Sequence, residues 1–117
     1  MSYQPGLHII AELSSSKNDL LQTFSFVRQL LNSQIHKYNL QKLGEVYHNF
    51  EPGGFTAVIC LSESHISLHS WPEYQRINMD IYLSNYQRAN DHTAQAIYEE
   101  VMQFFDAELI SCQQIKR

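Results

Sequence analysis

Phe55-Thr56-Ala57-Val58-Ile59-Cys60-Leu61, then Ser62-Glu63-Ser64, then His65-Ile66-Ser67-Leu68-His69-Ser70-Trp71, is the stretch that decides the fold. Phe55, Ala57, Ile59 and Leu61 recur at every second position, the period of a strand with one buried face. The last segment reads as another strand. Only three polar residues part the two, which is a hairpin spacing. Ile77 to Leu83 (Ile-Asn-Met-Asp-Ile-Tyr-Leu) alternates in the same way and reads as the next strand.

The flanks extend this pattern. Glu51-Pro52-Gly53-Gly54 reads as a turn, because proline fixes one torsion and glycine admits positive φ. Gly44 to Phe50 reads as the strand before it, and Leu7 to Leu13 as the first strand of the chain. Ser14-Ser15-Ser16-Lys17-Asn18-Asp19 suits a helix N-cap, since such side-chain oxygens take the free amides of a first turn. Leu20, Phe24, Val27, Leu31 and Ile35 then fall at helical steps, fading near Lys37 to Leu40. Asn85 to Asp91 reads as a polar loop. A second helix follows, with Ala94, Ile97, Val101, Phe104 and Phe105 on its inner side, and Glu108 to Ile115 reads as a closing strand. The order β-α-β-β-β-β-α-β predicts an α+β fold: a two-layer sandwich with a mostly antiparallel sheet and two helices on one face. Without repeat, linker or low-complexity tract, residues 1–117 read as one domain.

The chain has 117 residues, 44% of them hydrophobic and 17% charged, with a net charge of −4. With no basic block, neither nucleic acid nor an anionic membrane is an expected partner. No apolar run approaches the roughly 20 residues that span a bilayer. Met1-Ser2-Tyr3-Gln4-Pro5 lacks the charged n-region of a signal peptide, so the cytoplasm is the expected compartment. Cys60 and Cys112 lie in apolar, strand-like runs and are expected as buried, unpaired thiols. Their spacing makes no zinc site, and no metal is expected.

Ser62-Glu63-Ser64 carries a chemical possibility. A strained turn can align the Ser64 hydroxyl with the Glu63 carbonyl and turn the amide into an ester. A base that removes the Ser64 α-proton then expels Glu63 as a carboxylate, and the dehydroalanine left behind hydrolyses to a pyruvoyl group. His69, five positions on along the same strand, is the expected helper, since imidazole titrates near neutral pH. Taken singly, each residue has a plainer reading. Ser-Glu-Ser-His makes a polar hairpin turn, His69 a satisfied strand histidine, and Trp71-Pro72 a core residue followed by an edge break.

The whole string Ser62-Glu63-Ser64-His65-Ile66-Ser67-Leu68-His69-Ser70-Trp71-Pro72-Glu73-Tyr74 closely resembles the signature of the prokaryotic-type S-adenosylmethionine decarboxylases, which are pyruvoyl-dependent. Gly6-Leu7-His8 resembles that family's N-terminal start, His48 to Thr56 its segment before the cut, and Asp80-Ile81-Tyr82 its following strand. The resemblance implies self-cleavage between Glu63 and Ser64, giving a β chain of residues 1–63 and an α chain of 64–117. The α chain would open with a pyruvoyl cofactor made from Ser64. By the same resemblance His69 and Thr56 serve processing, with threonine where the family usually has serine. Phe50 stacks on the adenine and Glu73 holds the ribose hydroxyls. The implied reaction is decarboxylation of S-adenosylmethionine for spermidine synthesis, in a homodimer that pairs sheet to sheet.

One position departs. The family's proton-donor cysteine falls where this chain has Ser84, and a hydroxyl is a far weaker acid than a thiol of reference pKa about 8.5. Gln75-Arg76-Ile77-Asn78 also stands where the family has Gly-Tyr and small residues. These departures keep two alternatives open: a related pyruvoyl decarboxylase of arginine or ornithine, and an unprocessed, non-catalytic homologue.

Overall fold

The computed structural model describes residues 3–117, so Met1 and Ser2, the first residues of the stretch read as leaderless, lie outside it. The strands are β1 (Leu7–Ser14), β2 (Lys42–Asn49), β3 (Phe55–Leu61), β4 (Ser64–Trp71), β5 (Arg76–Leu83) and β6 (Glu108–Lys116). Helices α1 (Asn18–Gln22) and α2 (Ser25–Lys37) lie between β1 and β2, and α3 (Asp91–Phe104) lies between β5 and β6. The strands form one sheet in the order β2-β3-β4-β5-β1-β6, with every pair antiparallel.

Alternation sets the two faces. Ile9, Leu13, Phe55, Ile59, Ile66, Leu68, Ile77 and Ile81 are fully buried and share one core with Leu21, Val27 and Leu31 of the first helices and Ala94, Ile97 and Val101 of α3. The expected α+β sandwich is thus present, with its helices on one face. A polar tie joins α2 to α3. The buried Gln34 amide donates to the Ile97 carbonyl at 3.4 Å and to Glu100 at 3.1 Å. Lys37 donates to the same carboxylate at 2.9 Å, and the Tyr38 hydroxyl donates to it as well.

Three expectations change. The first helix breaks at Thr23, which is extended (φ −134°, ψ 157°), so three helices replace two. The Phe24 amide there donates to the Asn49 side chain at 2.9 Å, and Leu21 rather than Leu20 enters the core. No side chain caps α1. Ser15 accepts from the Lys17 amide at 3.1 Å and donates to the Phe105 carbonyl at 2.5 Å, tying β1 to the end of α3. Cys60 is exposed rather than buried and Cys112 half-buried, both as free thiols. Cys60 sits between the inward Ile59 and Leu61, so the strand period turns it to the opposite face. Trp71 follows the same rule; it is 47% exposed and donates its indole N–H to Asn78 at 2.6 Å.

That opposite face carries Ile10, Val46 and Val58 at 38%, 66% and 38% exposure beside polar residues. Among the described residues no helix is long and apolar enough to cross a membrane. Truncating Leu68, fully buried in mid-sheet, to alanine is expected to lower the unfolding free energy by about 2–5 kcal/mol. Cys60→Ala, on the exposed side, is expected to change it by about 0.5 kcal/mol or less. Urea unfolding of the two variants checks the assignment of faces.

Candidate active site

Ser62 and Glu63 alone turn the chain from β3 into β4, and the Ser62 amide donates to the Gln41 carbonyl at 2.9 Å. Ser64 opens β4 at φ +129°, a conformation L-residues rarely adopt, at a cost of order 1–3 kcal/mol that persists only where the surroundings impose it. The surroundings do impose it. The Glu63 carbonyl accepts the Ser84 backbone N–H at 2.8 Å. Arg88 grips the Glu63 carboxylate with Nε at 3.1 Å and Nη2 at 3.0 Å, and Asn90 Nδ2 donates to it too. Burial pushes the Glu63 carboxyl up, but the hydrogen bonds from Arg88 and Asn90 outweigh it and hold the group below the usual carboxylate range. The residue before the expected cut is therefore held at both its carbonyl and its side chain.

Ser84, the expected proton-donor position, is the first residue after β5 and lies at this corner. Its own carbonyl accepts from Asn90 Nδ2 at 2.8 Å. Gly6 lets the N-terminal segment close over it, because a Cβ there would fall 2.3 Å from the Leu83 carbonyl oxygen.

A second group gathers at the other end of β4. The β3–β4 register sets Thr56 opposite His69, with Thr56 Oγ1 at 2.9 Å from His69 Nδ1. Phe50, Thr56, His69, Trp71 and Glu73 line a cleft of about 260 Å³. Its floor is fixed by the buried Ser70, which accepts the Phe55 amide at 2.9 Å and donates to the Leu21 carbonyl at 2.7 Å. Gly54, at φ +101°, closes the preceding turn by donating to the Gln22 carbonyl at 3.0 Å. Phe50 stays half-exposed with its ring edge-on to His48, 4.7 Å between centroids.

The structure thus brings together Glu63, Ser64 and Ser84, and separately Phe50, Thr56, His69 and Glu73. It does not join the two groups within one chain, which corrects the expectation that His69 lies within reach of Ser64. Five residues of extended strand span roughly 16 Å, and an odd offset alternates to the opposite face. A larger cleft of about 460 Å³ on the open sheet face, lined by Glu12, Ser67, His69, Asn78 and Asp80, fills part of the gap.

Residues 7–117 match the family described as S-adenosylmethionine decarboxylase. The chain belongs to that family. The S-adenosylmethionine decarboxylase proenzyme of Archaeoglobus fulgidus is 43% identical over 77 residues, 66% of this chain and 69% of that protein. The corresponding proenzyme of Picrophilus torridus is 34% identical over 96 residues, 79% of this chain and 74% of its own length. That of Aquifex aeolicus is 40% identical over 77 residues, which span 57% of its length. The crystal structure of the adenosylmethionine decarboxylase from Aquifex aeolicus superposes with a TM-score of 0.85 at 29% identity, covering 99% of this chain and 92% of that one. The six-stranded antiparallel sheet and its helical layer are therefore the fold of an adenosylmethionine decarboxylase.

Two groups in this decarboxylase-family chain escaped the sequence reading. Arg88 and Asn90 lie in a stretch with no period, where composition signals only a loop. His8 Nε2 and His65 Nε2 share one oxygen of Asp80, at 2.7 and 3.0 Å, and the three ligating atoms lie within 4.8 Å of one another. Strand register could have found this trio, because His8 and His65 both pair with Tyr82. Arg117 Nη1 stands 3.2 Å from His8 Nδ1. A guanidinium only donates, so Nδ1 accepts and Nε2 carries the proton that it gives Asp80. That arrangement serves a hydrogen-bonded brace and leaves Nε2 no lone pair for a metal.

The depressed Glu63 carboxyl makes a pH prediction. A carboxyl whose pKa falls on folding adds stability above its unfolded value, about 4.3, and loses it as pH drops through the folded value. In an uncleaved Ser64→Ala background, adding Glu63→Gln is expected to lower Tm at pH 6 to 7, with the difference shrinking below about pH 4. Calorimetry across that pH range checks the sign.

Proposed function

We propose that this chain is a proenzyme that cuts itself between Glu63 and Ser64 and then decarboxylates S-adenosylmethionine. The observation that carries the reading is Ser64 at φ +129° beside a Glu63 carbonyl already polarised by the Ser84 N–H at 2.8 Å. Attack by Ser64 Oγ forms a C–O bond and breaks the C–N bond, leaving an ester and a free Ser64 amine. As charge develops on the Glu63 oxygen, the fixed Ser84 N–H stabilises it. Removal of the Ser64 α-proton then breaks the Cβ–O bond and releases Glu63 as a carboxylate. Water displaces ammonia from the remaining enamine after tautomerisation, so one water is consumed and one ammonia released per cut.

The resulting pyruvoyl group would supply an electron sink for loss of carbon dioxide. A terminus at Ser64 fits it, because the position opens a strand and borders Ser84 rather than lying inside the core. The half-exposed face of Phe50 suits an adenine ring, and the exposed Glu73 carboxylate suits paired ribose hydroxyls. Ser84 Oγ would return the proton, more slowly than a thiol there. The names of the relatives favour S-adenosylmethionine over arginine or ornithine, and the product would be the aminopropyl donor for spermidine. We place the reaction in the cytoplasm, where a thiol as exposed as Cys60 stays reduced.

The reading needs a second copy of the chain. With Ser64 and His69 roughly 16 Å apart along β4, no single protomer assembles the processing site. A two-fold axis between two open sheet faces, running across the strands near the middle of β4, would bring the β3–β4 turn of one protomer to the His69 end of the other. Ile10, Val46 and Val58 supply apolar surface for that contact, as exposed apolar patches commonly do.

Intact-mass spectrometry of wild type is expected to give two fragments, with 64–117 bearing a pyruvoyl terminus. Carboxyl-labelled S-adenosylmethionine is expected to release labelled carbon dioxide, and Ser64→Ala to abolish both. A wild-type chain that stays whole would overturn the reading. Co-expressing Ser64→Ala with His69→Ala tests the shared site. Each homodimer is expected to remain uncut, while the mixed dimer cuts its His69→Ala chain. No cleavage in the mixture would place both residues in one chain's site.

A further inference from the structure

Arg88 is the most heavily engaged cation of the described residues outside the residues assigned above. One Nη2 reaches three oxygens: the Tyr38 carbonyl at 3.3 Å, the Asn39 carbonyl at 2.9 Å and Glu63 Oε1 at 3.0 Å. Tyr38 is the C-cap of α2, and Asn39 follows it at φ +56°. The guanidinium is thus seated on free carbonyls at a helix C-terminus, where a cation is favoured, and points its remaining fork at Glu63. Asn90 completes the grip. It is 1% exposed, its amide donates to Asn85 Oδ1 at 2.6 Å, and its side chain joins the Glu63 carboxylate to the Ser84 carbonyl. Asn85 is itself fixed on the Pro5 carbonyl at 3.0 Å and on Asp91 at 2.9 Å.

We propose that Arg88 and Asn90 are positioning residues for self-cleavage, holding the Glu63 side chain so that its carbonyl stays against the Ser84 N–H while Ser64 is forced to positive φ. The proposal rests on the reading that the chain cuts itself. A hairpin of two turn residues has few ways to resist relaxing, and a strained residue persists only where its neighbours are fixed. Here Glu63 is fixed three times, at its carbonyl and at both carboxylate oxygens. Bidentate binding by arginine sets orientation as well as proximity, so the carboxylate cannot swivel and release the carbonyl. The same grip outlasts the reaction. Once the C–N bond is broken, Glu63 becomes the end of the 1–63 chain, and its side chain still anchors that end beside the new terminus of 64–117.

The test is the rate of conversion of intact chain to two fragments, followed by denaturing gel after a pulse of synthesis. Arg88→Gln and Glu63→Gln are each expected to slow cleavage about tenfold or more, the range for losing a charged hydrogen bond. Arg88→Lys, which keeps the charge but not the fork, is expected to fall between. Because Arg88→Gln and Glu63→Gln remove one interaction, the double variant is expected to be no slower than the slower single one. If Arg88→Gln is slow while Glu63→Gln cleaves at the wild-type rate, Arg88 acts only on the α2 carbonyls and the proposal falls. Should Arg88→Gln fail to fold by circular dichroism, Glu63→Gln decides alone, and a wild-type rate overturns the clamp. Failure of the underlying reading looks different, because wild type itself would then stay whole.

Discussion

The hydrogen bond from the Ser84 amide to the Glu63 carbonyl, 2.8 Å long, is the contact on which the proposed self-cleavage depends. It joins the first residue beyond β5 to the last residue of the β3–β4 turn. The β4–β5 register sets Leu83 opposite Ser64, so the next amide along falls against the turn. The sheet's own pairing therefore aims a donor at the bond proposed to break. Gly6 protects this approach, since any side chain there would collide with the Leu83 carbonyl. Arg88 and Asn90 then hold the other end of Glu63, leaving Ser64 to absorb the mismatch as positive φ.

Strand geometry imposes the second constraint. A β-strand cannot fold its two ends together, so the groups at Ser64 and at His69 stay apart however well each is built. The sheet answers this by having two unlike faces. One is closed by helices and carries the stability, with residues such as Ile9, Ile59 and Leu68 fully buried. The other leaves His65, Asp80, His69 and Thr56 partly exposed, with His8 buried among them. The brace of His8 and His65 on Asp80 ties β1, β4 and β5 on this face without adding apolar surface.

What the sequence made legible follows from period and adjacency. Alternation at Phe55, Ala57, Ile59 and Leu61 gave strand and face at once, and the three-residue gap gave the hairpin. The break at Thr23 was hidden because Leu20, Phe24 and Val27 keep a helical spacing across it. The bonds made at the break come from residues distant in sequence, Asn49 to the Phe24 amide and Gly54 to the Gln22 carbonyl. Cys60 was misjudged by its apolar neighbours, whereas its parity in the strand placed it outside. Phe50, Thr56, His69 and Glu73 converge as a motif of contiguous pieces should. Arg88 and Asn90 were invisible, because a loop residue earns its role from what folds against it, here Glu63 and the end of α2.

The serine at position 84 separates two demands that share one residue. The proposed cleavage would use the backbone N–H, which every residue but proline provides. Its position is set by the β4–β5 register and by Asn90 on the Ser84 carbonyl, and neither depends on the side chain. The proposed return of a proton after decarboxylation would depend on the side chain alone, and a hydroxyl there is much the weaker acid. On that reading, a hydroxyl where the resemblance implies a thiol would leave the making of the active group untouched and fall entirely on its use. As proposed, self-processing would rest at residue 84 on backbone geometry alone, while turnover would be set by how readily that residue gives up a proton.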